Sequence, residues 1–130
     1  MAVGILFITQ PGIGPALLAA AEAMLPNLPL ACAAFEVPAG ADPDALLPSA
    51  SAAMRRVDGG DGVLVLTDMH GSAAARVAAK LVHLGTPARR VAGASLPMLM
   101  RVLDYPEQPL DELPAVAAAG ARNGAIRDDG

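Results

Sequence analysis

Two apolar runs of strand length constrain the fold of this chain more than any other feature. Val3 to Ile8 and Gly62 to Leu66 are almost unbroken hydrophobic sequence. A strand that is apolar at nearly every position is usually covered on both faces, as in a parallel sheet. Leu30 to Val37 and Arg89 to Ala94 are weaker strand candidates of the same kind. We therefore predict a sheet whose faces are both covered by helices.

Helical patterns separate these strand candidates and complete the predicted order of elements. Asp42 and Pro43 form a good cap and first-turn pair for the second helix. The tail from Gly124 to Asp128 is predicted to form a short last strand. The order β-α-β-α-β-α-β-α-α-β favours an α/β fold, with an open, mostly parallel sheet of about four strands and helices on both faces. The apolar stripes are Ile13, Leu17, Ala20 and Met24; Leu46, Ala50, Ala53 and Val57; Val77, Leu81 and Leu84; Leu99, Val102 and Leu103; and Leu110, Leu113 and Ala117.

Length and composition bound the class of protein. The chain has 130 residues, 54% of them hydrophobic, and we interpret residues 1–130 as one domain because no linker or repeat divides them. Its apolar runs are far shorter than the roughly 20 residues that a membrane span needs. The start lacks a basic segment before an apolar one, and one cysteine cannot form an internal disulfide, so we expect a cytoplasmic protein. A net charge of -4 and 2% aromatic residues argue against nucleic-acid binding.

Polar residues follow three of the predicted strands and mark a candidate ligand site. In open parallel sheets, ligands lie beyond the carboxyl ends of strands where the strand order reverses. If the first and third strands are neighbours, Gln10 and Asp68 meet at one crevice. The helices that follow would present backbone amides there, which suit an anion such as phosphate. The sequence has neither a dinucleotide fingerprint nor a P-loop, and nothing in it indicates a metal or an organic cofactor.

Asp68 and His70 each have a structural and a catalytic interpretation. Asp68 is either a cap or turn residue, or a carboxylate that orients a partner, as an aspartate orients histidine in a triad. His70 is one of two histidines and is either a surface residue or part of the site. Its position two residues after Asp68 does not ensure that the two side chains touch, so both interpretations stay open.

Four segments together resemble the mannose-type EIIA domain of the bacterial phosphoenolpyruvate-dependent sugar phosphotransferase system. They are VGILFITQPGIGPALLAAAEAML, GGDGVLVLTDMHGSAAARVAAKL, VAGASLPMLMRVLDY and LDELPAVAAAGARNG, and they extend over essentially the whole chain. The resemblance implies a phosphocarrier. The small protein HPr would phosphorylate an EIIA histidine, which would pass the group to an EIIB domain of a sugar permease system. It also implies a homodimer in which the C-terminal strand, here near Gly124 to Asp128, crosses to the partner sheet.

The resemblance places the family's phosphorylated histidine on Gln10 and its orienting aspartate on Asp68. His70 takes a position where the family usually has an aromatic residue, and Ala73 one where it usually has serine. The amide nitrogen of glutamine shares its lone pair with the carbonyl group and is a very poor nucleophile. We therefore predict that Gln10 does not carry phosphate. The phosphate-binding positions that the resemblance implies are Gly71, Ser72 and Ala73.

Three interpretations of this departure stay open. The first is a binding or regulatory module that kept the fold, docks HPr, EIIB or another partner, and lost phosphoryl transfer. The second is an active carrier in which His70 replaced the lost histidine, with the amides of Ser72 and Ala73 nearby. The third is a working carrier in which Gln10 is an engineered or sampled change, against which His70, Ala73 and Ser95 count. A small-molecule enzyme on the same fold is a further alternative.

Overall fold

Four parallel strands form one sheet in the computed structural model, which describes residues 2–129. They are β1 (Ala2–Thr9), β2 (Cys32–Glu36), β3 (Gly60–Thr67) and β4 (Ala88–Val91), in the order β2-β1-β3-β4. The two long apolar runs thus occupy the two central strands, where both faces of a strand are covered. Ile5 of β1 lies opposite Cys32 of β2 on one side and Leu64 of β3 on the other. The predicted adjacency of the first and third strands is confirmed.

Five helices cover the two faces of the sheet. They are α1 (Ile13–Met24), α2 (Pro43–Val57), α3 (Ala73–Leu81), α4 (Leu96–Leu103) and α5 (Leu113–Gly124). Alternate residues of β1 enter different cores: Ile5 and Phe7 pack with α1, α4 and α5, whereas Leu6 and Ile8 pack with α2 and α3. Burial of each such side chain contributes about 1.5–3 kcal/mol. The α/β fold with helices on both faces is as predicted. Within residues 2–129, no helix combines the length and apolar character needed to cross a membrane.

Helix α1 contacts the sheet through a face that contains only part of the predicted stripe: Leu17 packs against the core, whereas the two ends of the stripe do not. Its buried residues are Gly14 and Ala21, whereas Ile13 and Met24 are 39% and 58% exposed. A Cβ atom added at Gly14 would lie 3.0 Å from the Cβ of Phe7. The helix therefore approaches β1 closely through small residues, and a stripe of large apolar residues misses the two positions that are most buried.

The other apolar stripes are confirmed except at their ends. Helix α3 ends at Leu81, so Leu84 lies in the following turn and is 49% exposed. Leu110 precedes α5 rather than belonging to it, yet it is buried in the core beside Leu113.

The predicted last strand near Gly124 to Asp128 is not formed within this single chain. Helix α5 continues to Gly124, and residues 125–129 are exposed and without strand pairing in the structure. An isolated strand needs a neighbouring strand to satisfy its backbone groups. Crossing of this tail to the sheet of a second subunit stays a prediction.

Candidate functional site

The carboxyl ends of β1 and β3 meet, and a hydrogen bond joins them. Ile8 lies opposite Thr67 in the sheet, so the residues that follow each strand emerge side by side. The backbone N–H of Gln10 donates to Oδ2 of Asp68 at 2.8 Å. The contact predicted between positions 10 and 68 therefore exists, and the backbone of residue 10 makes it.

Asp68 organises the turn that leads from β3 into α3. Its Oδ1 accepts from the backbone N–H of Met69 at 2.8 Å and from the Ser72 hydroxyl at 3.1 Å. Ser72 is the N-cap of α3, and its Oγ accepts from the N–H of Ala75 at 3.1 Å. Asp68 thus holds the first loop with one oxygen and the start of α3 with the other.

The hydrogen bonds to Asp68 favour its charged form. Burial raises the pKa of Asp68, but the backbone N–H groups of Gln10 and Met69 lower it, with smaller lowering contributions from the side chains of Gln10 and Ser72. The pKa of Asp68 is therefore below its ordinary value, and the group is a carboxylate at neutral pH. The Asp68 carboxylate could therefore orient a histidine side chain at position 10.

The loop after β1 is closed by its own hydrogen bonds. The Thr9 hydroxyl donates to the carbonyl of Gln10 at 2.8 Å and accepts from the N–H of Gly14 at 2.9 Å. Gly12, at φ 88, adopts a left-handed conformation, and its N–H donates to Oε2 of Glu36 at 2.6 Å. The N–H of Ile13 donates to the carbonyl of Gln10 at 3.4 Å. The amides predicted to be free for an anion at the start of α1 already have partners in this chain.

The backbone N–H groups at the three predicted phosphate-binding positions differ in their availability. The N–H of Ser72 donates to the carbonyl of Met69 at 3.2 Å. In the part of the chain that the structure describes, the N–H of Ala73 has no acceptor, as is common at the first positions of a helix. Gly71 lies in the turn at φ 87, a conformation that favours glycine.

His70 lies apart from Asp68. Its side chain is exposed, and it makes no hydrogen bond with Asp68, whose oxygens are taken by Gln10, Met69 and Ser72. His70 instead borders a depression of about 280 Å³ on the β4 side of the loop. The structure thus joins Gln10, Asp68 and Ser72 by hydrogen bonds that do not include His70.

Several residues at this edge of the sheet were not singled out from the sequence. Glu36 ends β2 and binds the first loop, while Arg90 lies near the end of β4 and borders the depression beside His70. Both belong to the short edge strands, whose apolar pattern is weak. The sequence predicted that these strands end at Val37 and Ala94, beyond their observed ends at Glu36 and Val91, so the strand-end rule did not select either residue. Within the described ranges, no group of three or more His, Cys, Asp or Glu side chains could hold a metal ion.

Comparison with a known family gives a match over most of the chain. The sequence model of EIIA-man, described as the PTS system fructose IIA component, matches residues 4–113. This range contains both loops that meet at Asp68 and the depression beside His70. A search among curated proteins found no match.

Solved structures share the whole architecture at low sequence identity. The mannose/sorbose specific IIA subunit of the phosphotransferase system from Enterococcus faecalis is 21% identical, with a TM-score of 0.85 over 100% of this chain and 97% of that one. The phosphotransferase system component EIIA from Streptococcus agalactiae is 19% identical, with a TM-score of 0.79 over 96% of each chain. A sigma-54 interaction domain protein from Enterococcus faecalis is 13% identical, with a TM-score of 0.74 over 95% of this chain and 93% of that one. At such identities the likeness establishes the fold.

Proposed function

The chain belongs to the EIIA-man family, the PTS system fructose IIA components, and from that premise we propose that it is a transfer-deficient or regulatory EIIA-like protein. One observation carries this proposal. The resemblance places the family's phosphorylated histidine on Gln10, and the backbone N–H of this residue donates to Asp68, the position of the family's orienting aspartate. The protein would keep the shape that phosphotransferase partners contact without accepting the phosphoryl group there.

The chemistry of residue 10 supports this proposal. Phosphoryl transfer to histidine requires a ring nitrogen whose lone pair forms the new bond to phosphorus while the donor departs with the electrons of the old bond. The amide nitrogen of Gln10 has no such lone pair, because it is delocalised into the carbonyl group. Asp68 can stabilise and orient a neighbour, but it cannot supply the missing nucleophile at position 10.

The partners follow from the same proposal. HPr-like and EIIB-like proteins of the phosphotransferase system would dock at the edge formed by the loops after β1 and β3, in the cytoplasm. A homodimer would form by exchange of the tail from Gly124 to Asp128. Partner binding without transfer would let the protein compete with an active EIIA protein, which is a regulatory effect.

A second candidate function is an active carrier that uses His70. The exposed imidazole lies beside Arg76 and Arg90, whose charges would stabilise a phosphoryl group on the ring. Against this candidate, no carboxylate among residues 2–129 pairs with the ring of His70. The contact that Asp68 would provide is directed to residue 10 instead.

Phosphorylation in a reconstituted system distinguishes these functions. The purified protein is incubated with phosphoenolpyruvate, enzyme I and HPr, and its intact mass is measured at neutral to mildly alkaline pH, where phosphohistidine survives. An active mannose-type EIIA protein is the positive control. We expect the wild-type chain to gain no phosphoryl group. A gain in the wild-type chain would overturn the proposal.

Two variants identify the reason for either outcome. Gain of one phosphoryl group by Gln10→His would show a working scaffold that lacks only its nucleophile. That outcome is also the one expected if Gln10 is an engineered or sampled change in an active carrier. No gain in that variant would indicate that the rest of the site is remodelled as well. If the wild-type chain is phosphorylated, loss of the group in His70→Ala and its retention in His83→Ala would establish His70 as the acceptor.

Partner docking has its own measurement. HPr is added to the ¹⁵N-labelled protein, and amide shifts are followed by NMR. We expect saturable shifts at residues 10–14 and 68–73 without any mass change. Absence of binding to both HPr and an EIIB-type protein would leave no phosphotransferase partner and would contradict the regulatory role.

A further inference from the structure

We infer that a depression at the ends of β3 and β4 binds a phosphate group, either free or carried by a small molecule. We call it the basic depression. It continues as a shallower hollow along α3. Its lining residues are Thr67, His70, Ala75, Arg90 and Ala92, and the hollow adds Gly71, Arg76 and Ala79.

The geometry of the sheet creates this space. Val65 of β3 lies opposite Arg90 of β4, and Val65 packs against α2 and α3. Thr67 and Arg90 therefore project from the same face of the sheet as that core. Helix α3 begins only at Ala73, so the ends of the two strands are left uncovered beside its first turn. The depression has a volume of about 280 Å³. That is just below the range of about 300–1,000 Å³ typical of ligand sites, which indicates a small ligand.

The charges around the basic depression favour an anion. Arg90 forms no ion pair with any residue between 2 and 129, whereas its neighbour Arg89 is paired with Asp111 at 2.6 Å. The Nη1 atom of Arg76 donates to the carbonyl of Gly71 at 3.2 Å, which leaves the other N–H groups of its guanidinium available. No carboxylate lines the depression, although the chain as a whole has a net charge of -4. Two guanidinium groups without an acidic partner at one concave site are a suitable receptor for an anion.

A buried hydroxyl group supplies a second and independent observation. Thr67 is only 3% exposed, yet its hydroxyl makes no hydrogen bond with the residues that the structure describes. Every fully buried side-chain polar atom in the same part of the chain has a partner. The Thr67 hydroxyl is therefore reached from the depression that it lines. Because its oxygen is open to the depression, this hydroxyl can bind a ligand or water there.

The donors match a tetrahedral oxyanion better than a single carboxylate. The Thr67 hydroxyl lines the depression, the Arg76 guanidinium lines the adjoining hollow, and Arg90 and His70 border both. A phosphate group presents several oxygens in different directions and can accept from donors so arranged. This binding needs neither enzyme I nor HPr, and it stands whether or not the proposed function is correct.

NMR titration of the protein alone tests the inference. Inorganic phosphate is added to the ¹⁵N-labelled chain at constant ionic strength, with chloride and sulfate as parallel titrations. We expect saturable shifts at residues 67–72 and 89–93, with weaker or no saturation by chloride. The inference would be overturned if the shifts did not saturate when phosphate reached a 50-fold molar excess over protein at about 1 mM. Shifts confined to residues 10–14 would overturn it as well.

Two adjacent arginines provide a matched pair of variants. Arg90→Gln removes a donor of the depression, whereas Arg89→Gln removes the same charge from the opposite face of β4. We expect the dissociation constant for phosphate to rise about tenfold or more in Arg90→Gln, as for loss of a charged hydrogen bond, and less than twofold in Arg89→Gln. Thr67→Val should also weaken binding severalfold while keeping the shape of the side chain. Equal weakening by Arg89→Gln and Arg90→Gln would mean general charge attraction and would overturn the site.

A third titration distinguishes the two sources of phosphate. Glycerol 3-phosphate serves as a small phosphate monoester. Tighter binding of the monoester than of inorganic phosphate would establish a small phosphorylated molecule as the ligand. Tighter or equal binding of inorganic phosphate would establish free phosphate. Either result, together with the Arg90→Gln effect, confirms the anion site.

Discussion

The end of β1 and the end of β4 lie on the same edge of the sheet but differ in how far the polar groups around them are hydrogen-bonded within the chain. Around the end of β1, the Thr9 hydroxyl, the amides of the loop and the Asp68 carboxylate are all bonded within the chain. Around the ends of β3 and β4, the Thr67 hydroxyl has no hydrogen bond and the Arg90 guanidinium no ion pair with residues 2–129. Groups that are bonded internally hold geometry, whereas unbonded groups are available to a ligand. The place where the family resemblance implies chemistry is thus the closed one, and the open one lies two strands away.

The largest expected effect tests whether close packing builds the closed region. A Cβ at Gly14 would meet the Cβ of Phe7 at 3.0 Å, Thr9 Oγ1 at 3.1 Å and the Cβ of Ala34 at 3.3 Å. Gly14→Val would push α1 away from the sheet and lower the free energy of unfolding by about 1–3 kcal/mol. Urea denaturation measures this change. The matched control is Ala16→Val on the exposed side of α1, which should cost about 0.5 kcal/mol through helix propensity alone. Equal effects of the two variants would contradict the close contact.

The next prediction concerns the carboxylate that joins the two loops. Asp68→Asn keeps the size of the side chain but removes its charge and one of its acceptor oxygens. We expect a loss of about 1–2 kcal/mol in the free energy of unfolding at pH 7. Asp111→Asn, at an exposed ion pair, is the control and should change it by less than about 1 kcal/mol.

The same variant predicts a dependence on pH. Because the folded pKa of Asp68 is lowered from its ordinary value of 3.8, its charge stabilises the fold above that value. The contribution is lost as the pH falls through the lowered pKa of the folded state. Asparagine does not titrate, so the difference between wild type and Asp68→Asn should be full at pH 7 and shrink below about pH 4. A difference that stays constant down to pH 3 would exclude the charge as its cause.

The sequence was sufficient for features that depend on long patterns and insufficient for those that depend on single contacts. The apolar runs of β1 and β3 predicted a parallel sheet, and the strand-end rule then predicted that Gln10 and Asp68 meet. The predicted face of α1 was correct at Leu17 but wrong at Ile13 and Met24, because close approach at Gly14 places small residues against the sheet. The direction of His70 could not be predicted, since it depends on which donors occupy the oxygens of Asp68. Arg90 was missed because a four-residue edge strand carries too little pattern to place its end.

Two threonines at the ends of neighbouring strands allow the comparison to be tested by making the same substitution, threonine to valine, at each. Thr9→Val removes a hydroxyl that makes two hydrogen bonds and leaves the N–H of Gly14 without its acceptor. It should lower the free energy of unfolding by about 1 kcal/mol. Thr67→Val removes a hydroxyl that makes none with the described residues, so it should change stability by less than about 0.5 kcal/mol. Thermal and urea denaturation of both variants measures the contrast. A larger loss in Thr67→Val than in Thr9→Val would mean that the hydroxyl of Thr67 is part of the structural network, and the two regions would no longer differ.

The smallest expected effect lies at the position of greatest functional interest. Gln10 reaches Asp68 through its backbone N–H, which every residue except proline provides, and its side chain adds only a minor contribution to the charge state of Asp68. Gln10→Ala should therefore change the free energy of unfolding by less than about 0.5 kcal/mol, measured by urea denaturation beside Thr9→Val. A loss as large as that of Thr9→Val would show that the glutamine side chain supports the loop, and replacement by histidine would then disturb it. If the loss is small, residue 10 is free to change while the scaffold that faces it stays intact. Under that outcome, phosphoryl transfer by Gln10→His can be interpreted as chemistry alone, because the variant would differ in its nucleophile and not in its fold.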